Sequence, residues 1–231
     1  FYGESWDEET IEGSIPGAKK VMKEQNIPFE ELDFKKINDR FPLKAKEEFT
    51  GLFEPMAGSI NCEDAINFWM NNSVKNGHHL VENLKVKSIN SKKGLVNLNN
   101  RSIRCDQIII TAGMWTNKLL ETIGYSLDYK IWPMLWGHYE VEEKYASKYP
   151  QWFCFQKSRG MDGGLYYGFP VLSYTAKGDP LIKVGLDWTS PEMYLNNSDL
   201  FPSIPPDKLV GFLDNFIYEN IKGVKKRVDK F

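Results

Sequence analysis

At 231 residues, with 42% hydrophobic and 14% aromatic content, the chain is long enough to bury a substantial core as one large domain or two small ones. Its 29 basic and 31 acidic residues leave a formal net charge of -2, which gives no reason to expect nucleic acid as a partner. No apolar stretch approaches the about 20 residues that span a bilayer, and the acidic start FYGESWDEET is unlike a secretory signal. Cys62, Cys105 and Cys154 are odd in number, widely spaced and without a CxxC pair, which argues against a disulfide framework. A reducing intracellular compartment, cytoplasmic or peroxisomal, is expected.

In chain order, residues 17 to 39 read as two short amphipathic helices broken at Ile27-Pro28 and closed by Arg40-Phe41-Pro42. After a loop through Pro55 and Gly58, Asn61 is placed to cap a helix that ends at Asn76-Gly77. Ile66, Trp69, Met70 and Val74 share one face of it, a stripe expected in the core. From His79 the pattern turns to short strands (HLVE, LKVKSI, GLVNLN, SIRC) separated by Asn, Ser, Lys and Gly turns. Ile108, Ile109 and Ile110 then form an apolar run without alternation, as in a strand covered on both faces.

That run empties through Thr111, Ala112 and Gly113 into TNKLL, read as a helix starting near Trp115. Ala112 and Gly113 carry almost no side chain, so a bulky anionic group such as a pyrophosphate can approach the backbone there. The same residues also fit a plain packing turn. Beyond Gly124 the texture becomes that of a larger antiparallel sheet: residues 130 to 140, 152 to 156, 164 to 169 and 181 to 188 read as aromatic-rich strands. Asp207 is then placed to cap a final helix to about Asn220 with Leu209, Phe212, Leu213 and Phe216 on one face.

The chemistry-bearing residues are few. His78 and His79 point opposite ways in an extended segment and Glu82 does not complete a ligand set, so no metal site is expected. No Ser-His-Asp or Cys-His grammar, GxxxxGK[ST] loop or GxGxxG turn occurs. His138, among aromatics in a strand, reads as a satisfied half-buried histidine. In LIKVGLD, Lys183 lies between Ile182 and Val184 and so shares its face with Leu181, Gly185 and Asp187. It is either a fixed cation on a ligand-facing sheet or an ordinary exposed strand position.

The order FEPMAGSINCEDA, HLVENLKV, IIITAGMWTNKLL, GLYYGFP and LIKVG resembles the monomeric sarcosine oxidase and pipecolate oxidase family of FAD-dependent amine oxidoreductases, within the D-amino-acid-oxidase-like fold. The resemblance covers nearly the whole chain. It implies a mixed α/β and α+β architecture, in which a Rossmann-like FAD-binding segment (residues 50–124) is interwoven with an antiparallel-sheet substrate domain (residues 1–49 and 125–231). It further implies that Val86 meets the adenine end of FAD through its backbone and that Thr111, Ala112, Gly113 and Trp115 line the cofactor. Tyr167 would be a substrate-pocket tyrosine. Lys183 would be the lysine that helps oxygen react.

The implied activity is oxidation of a secondary amine or N-substituted amino acid to an imine, with oxygen reduced to hydrogen peroxide. Several family features have no counterpart here: the GxGxxG turn, the ribose-binding acid, the arginine for a substrate carboxylate, and the flavin-linking cysteine. The resemblance therefore implies an internal stretch of such an enzyme, inactive alone. Asp187 stands where those enzymes carry a histidine, which points to a substrate with a basic group. A flavin-free interaction module of the same fold, or a dehydrogenase passing electrons to a protein or quinone, are the rival expectations.

Overall fold

The computed structural model describes residues 1–6, 13–157, 164–187 and 194–229. Along the chain run β1 (Tyr2–Gly3), α1 (Ile15–Glu24), β2 (Glu30–Asp33), α2 (Phe34–Arg40), β3 (Thr50–Phe53) and α3 (Cys62–Lys75). Short strands β4 (Ser88–Asn90), β5 (Leu95–Asn97) and β6 (Ser102–Arg104) precede the single-turn helix α4 (Thr116–Leu120). Then come β7 (Leu135–Val141), α5 (Glu143–Ala146), β8 (Trp152–Phe155), β9 (Leu165–Gly168), β10 (Ser173–Tyr174), β11 (Pro180–Leu186), α6 (Asp207–Asn220) and β12 (Val224–Arg227). Two compact units result: Phe1–Ser59 with Trp132–Tyr194 and Pro202–Phe231, and Ile60–Ile131 with Leu195–Phe201.

The first unit is built on a sheet of nine described strands in the order β12-β7-β11-β9-β8-β1-β3-β2, with β10 on β11; all pairs are antiparallel except β1 with β8. Strict alternation divides its side chains between two faces. Tyr139, Val141, Trp152, Cys154, Tyr166, Ile182 and Val184 point to one face, where Leu209, Leu213, Phe216 and Ile217 of α6 meet them. Phe216 stacks on Tyr166 with ring centroids 3.7 Å apart. At one end of the other face, Ile15 and Met22 of α1 cover Leu52, Phe155 and Leu165.

Propensity misplaces one element here. The segment FEELDFKKIND, expected as one helix, starts as the strand β2, whose Leu32 is buried opposite Gly51. Asp33 then ends the strand by capping α2, accepting the Lys36 N–H at 2.8 Å. A ladder to β3 outweighs the helical preference of Glu and Leu. Of the strand expected over residues 181 to 188, Trp188 lies outside the described residues. The final helix is not capped by Asp207 as expected: Asp207 is its first helical residue, and Pro206 precedes it without a side-chain cap hydrogen bond.

In the second unit β4, β5 and β6 form a three-stranded antiparallel sheet. The Asn61 side chain caps α3, accepting the Asp64 N–H at 3.3 Å, and Gly77 follows in the left-handed region. Three expectations are corrected in this unit. HLVE, residues 79–82, is no strand, the first strand after α3 being β4. The α3 stripe is not core: no residue of α3 is buried, and Trp69 is 68% exposed. Residues 107–112 form no ladder, and Ile109 is 85% exposed. An apolar run of that kind is a stable strand only with neighbours on both edges, and no described residue of this unit supplies them.

Candidate functional site

The face of the first unit's sheet that α6 does not cover is organised in rungs. Phe153, Tyr167, Gly185 and Trp136 occupy one rung across β8, β9, β11 and β7. In the next rung Lys183 stands opposite His138, and the Lys183 carbonyl accepts the Phe169 N–H at 2.9 Å. Ile182 and Val184 are buried on the α6 side, which fixes Lys183 on this face by alternation. Asp187 follows at the strand end, its N–H bonded to the Leu165 carbonyl at 2.7 Å.

Gly185 decides the shape of this face. A Cβ there would lie 2.2 Å from Cζ of Tyr167, so the phenol ring lies directly across the glycine. Tyr167 packs edge-on to Phe169 at 5.9 Å and meets Phe153 at 6.1 Å, giving a continuous aromatic floor. Lys183 reaches diagonally, with Nζ 4.2 Å from the Trp136 ring centroid and 5.9 Å from that of Phe169. Among the described residues it pairs with no carboxylate.

An acid, Asp187, and an imidazole, His138, flank the floor. Burial strips hydration from the Asp187 carboxylate and pushes its carboxyl above the ordinary carboxylate value. Burial, and then the Asp187 charge, raise the Tyr167 phenol, which stays protonated at neutral pH. His138 is half-buried and satisfied: its Nδ1 lies 3.0 Å from Asp229 Oδ1, and its backbone N–H donates to Asp229 Oδ2. Cys154, buried on the α6 side with its thiol pushed up to about 12, is no nucleophile.

The second unit carries the other residues singled out in the sequence. Val86 lies just before β4 in extended chain, and no described residue bonds to its N–H or C=O. Thr111 and Ala112 lead into a 3₁₀ turn, Gly113–Trp115, and then α4. Gly113 is in the left-handed region with nothing within 4 Å of where a Cβ would be, and the Trp115 indole is exposed. The helix expected after this corner is present as the 3₁₀ turn, α4 and a second 3₁₀ turn, Glu121–Ile123, with only five α-helical residues in the run. The Ala112 carbonyl accepts the Trp115 N–H and the Gly113 carbonyl the Thr116 hydroxyl, while the N–H groups of Thr111, Ala112 and Gly113 have no partner among the described residues.

Trp136 and Asp229 belong to no motif, and Gly185 shows in the sequence only as a residue on the Lys183 face of its strand; Asp229 leaves no trace in any local pattern. The only trace of Trp136 is the alternation in KIWPMLWGHYE facing LIKVG, which becomes informative once the β7–β11 register is known.

Residues 6–199 match the family model described as "DAO: FAD dependent oxidoreductase". The chain belongs to this FAD-dependent oxidoreductase family. Over 160 residues it is 26% identical to the monomeric sarcosine oxidase of Bacillus sp. (strain B-0618), a match covering 68% of this chain and 40% of that protein. It is 22% identical to the N-methyl-L-tryptophan oxidase of Yersinia pestis (strain Pestoides F), covering 68% of this chain and 42% of that one. NikD, described as an unusual amino acid oxidase essential for nikkomycin biosynthesis, superposes with a TM-score of 0.83 at 22% identity, over 99% of this chain and 57% of its own. The L-proline dehydrogenase from P. horikoshii shares the fold at a TM-score of 0.68 and 13% identity, over 98% of this chain and 58% of its own. The chain thus spans about two fifths of the length of these curated relatives.

FAD is the cofactor of this family. Each unit taken by itself has a feature that suits such a group: in the second, N–H groups of Thr111, Ala112 and Gly113 with no partner among the described residues, and in the first, a lysine on an aromatic sheet face that pairs with no described carboxylate. No helix among the described residues is long and apolar enough to cross a membrane.

Proposed function

We propose that the protein takes part in FAD-dependent oxidation of a secondary amine or N-substituted amino acid to an imine, with oxygen reduced to hydrogen peroxide. The observation that carries this reading is Lys183, a cation that pairs with no carboxylate among the described residues, on an aromatic face of the sheet. FAD held by these residues would supply the two-electron acceptor for the amine's hydride and the reductant for oxygen. The chain's own residues hold and orient. Val86 would meet the adenine end through its free backbone groups; Thr111, Ala112, Gly113 and Trp115 would line the cofactor.

On the sheet face, Tyr167 with Phe153 and Phe169 provides an apolar surface that excludes water from the substrate. Lys183 holds positive charge where oxygen acquires negative charge, a preorganised stabilisation that needs no proton transfer by the lysine. Asp187 would accept a hydrogen bond from a basic group of the substrate, whose arrival favours the charged carboxylate. Three free cysteines agree with a reducing, intracellular compartment.

We expect residues 1–231 alone to hold FAD weakly and to be inactive. The apolar surface left unburied in the second unit supports this. The test is a panel of secondary amines and N-methyl amino acids on the full-length protein, scored by the visible spectrum and by peroxide. A yellow protein that bleaches with an amine under anaerobic conditions and releases peroxide in air is the expected result. A colourless protein indicates a flavin-free module, and turnover only with an added electron acceptor indicates a dehydrogenase.

A further inference from the structure

We infer that Trp136 is a positioning residue that fixes the Lys183 ammonium in place without neutralising it; this deepens, and rests on, the assignment of Lys183 above. A lysine side chain has four rotatable bonds, and an unpaired one on a sheet surface samples many rotamers. Here Nζ lies 4.2 Å from the indole centroid, within the range of a cation–π contact. A carboxylate would hold the ammonium as well, but would cancel the charge that makes it useful. An aromatic quadrupole attracts the cation and leaves its full charge facing outward.

The indole is itself held. Its ring meets the His138 ring edge-to-face, with centroids 5.3 Å apart and planes at 80°. His138 is gripped twice by Asp229: Oδ2 accepts from its backbone N–H, and Oδ1 lies 3.0 Å from its ring Nδ1. Gly185, the β11 partner of Trp136, has no side chain that would stand between Lys183 and the ring. The order of support runs from Asp229 through His138 and Trp136 to the ammonium.

The experiment uses the full-length protein with its lysines reductively methylated by ¹³C-formaldehyde, the Lys183 signal being identified by its loss in Lys183→Arg. In the wild type the Lys183 methyl resonances should lie upfield of the other lysines, displaced by the indole ring current. Trp136→Leu should return them to the position of exposed lysines, and Trp136→Phe should keep part of the displacement. Trp136 is 44% exposed, so neither change removes a core residue. In the holoprotein, Trp136→Leu should slow the oxygen step by roughly tenfold, with Trp136→Phe recovering most of it, the size of a desolvated cation–π contact.

Unshifted methyl signals in the wild type, or signals that Trp136→Leu leaves in place, would overturn the positioning role. If Trp136→Leu moves the signals while Lys183→Met leaves the oxygen step unchanged, the positioning stands and the function assigned to Lys183 fails.

Discussion

Replacing Gly185 by alanine puts a methyl carbon 2.2 Å from Cζ, 2.4 Å from Oη and 2.5 Å from Cε1 of Tyr167. Ordinary contact begins near 3.4 Å, so the ring must retreat by about 1.2 Å or swing off the sheet. Overpacking of this kind costs about 1–3 kcal/mol. Tyr167 is only half-buried and can move outward, so the lower part of that range applies, and the ring's contacts with Phe153 and Phe169 are the main loss. The assay is a double-mutant cycle by urea denaturation. Gly185→Ala should destabilise by about 1–2 kcal/mol alone but be neutral or slightly stabilising in a Tyr167→Ala background, because alanine outperforms glycine in a strand once the clash is gone. Equal cost in both backgrounds would refute the ring-over-glycine arrangement. In the active protein the single variant should raise KM for the amine more than it lowers kcat.

Asp187→Asn should stabilise the protein at neutral pH. The carboxyl is raised above 3.8 in the fold, so charging it costs stability as pH rises from 3.8 through the folded value, and below 3.8 both states are protonated and the advantage vanishes. A variant less stable than wild type at pH 7 in denaturant titrations would contradict this. Among the thiols, exposed Cys62 should react readily with a disulfide reagent, whereas buried Cys154, pushed up to about 12, should react only on unfolding; rapid modification of Cys154 in the native state would sink the burial argument. Within residues 1–231, Trp152→Ala (3% exposed) should cost about 3–5 kcal/mol and Trp69→Ala (68% exposed) under about 0.5 kcal/mol, as read by denaturation midpoints. A large effect at Trp69 would mean that α3 is buried after all.

What could be read from the sequence followed from periodicity. The two-residue alternation around Lys183 and the apolar face of α6 are local patterns that burial must respect, and both are present in the fold. β2 was misread because Glu and Leu favour helix locally, while the ladder that wins belongs to residues 50–53. The stripe on α3 and the Ile108–Ile110 run were legible as apolar surfaces. Apolar pattern reports that a surface wants cover, and the described residues of that unit supply none. Of the site, Lys183 and Tyr167 stood out by resemblance and alternation. Trp136, Gly185 and Asp229 act through contacts set by the register of β7 on β11 and by an aspartate 91 positions from its histidine, which no local pattern encodes.

The central claim is that Lys183 supplies a fixed positive charge to the reaction with oxygen, and it is tested most directly by Lys183→Met in the full-length, FAD-loaded protein. Stopped-flow measurement after anaerobic bleaching with amine separates the amine step from the return of the yellow colour in oxygen. The account predicts that the oxygen step slows by roughly 100-fold or more, as when a preorganised charge-stabilising donor is lost, while bleaching by the amine is little changed. An oxygen step at the unmodified rate would contradict it.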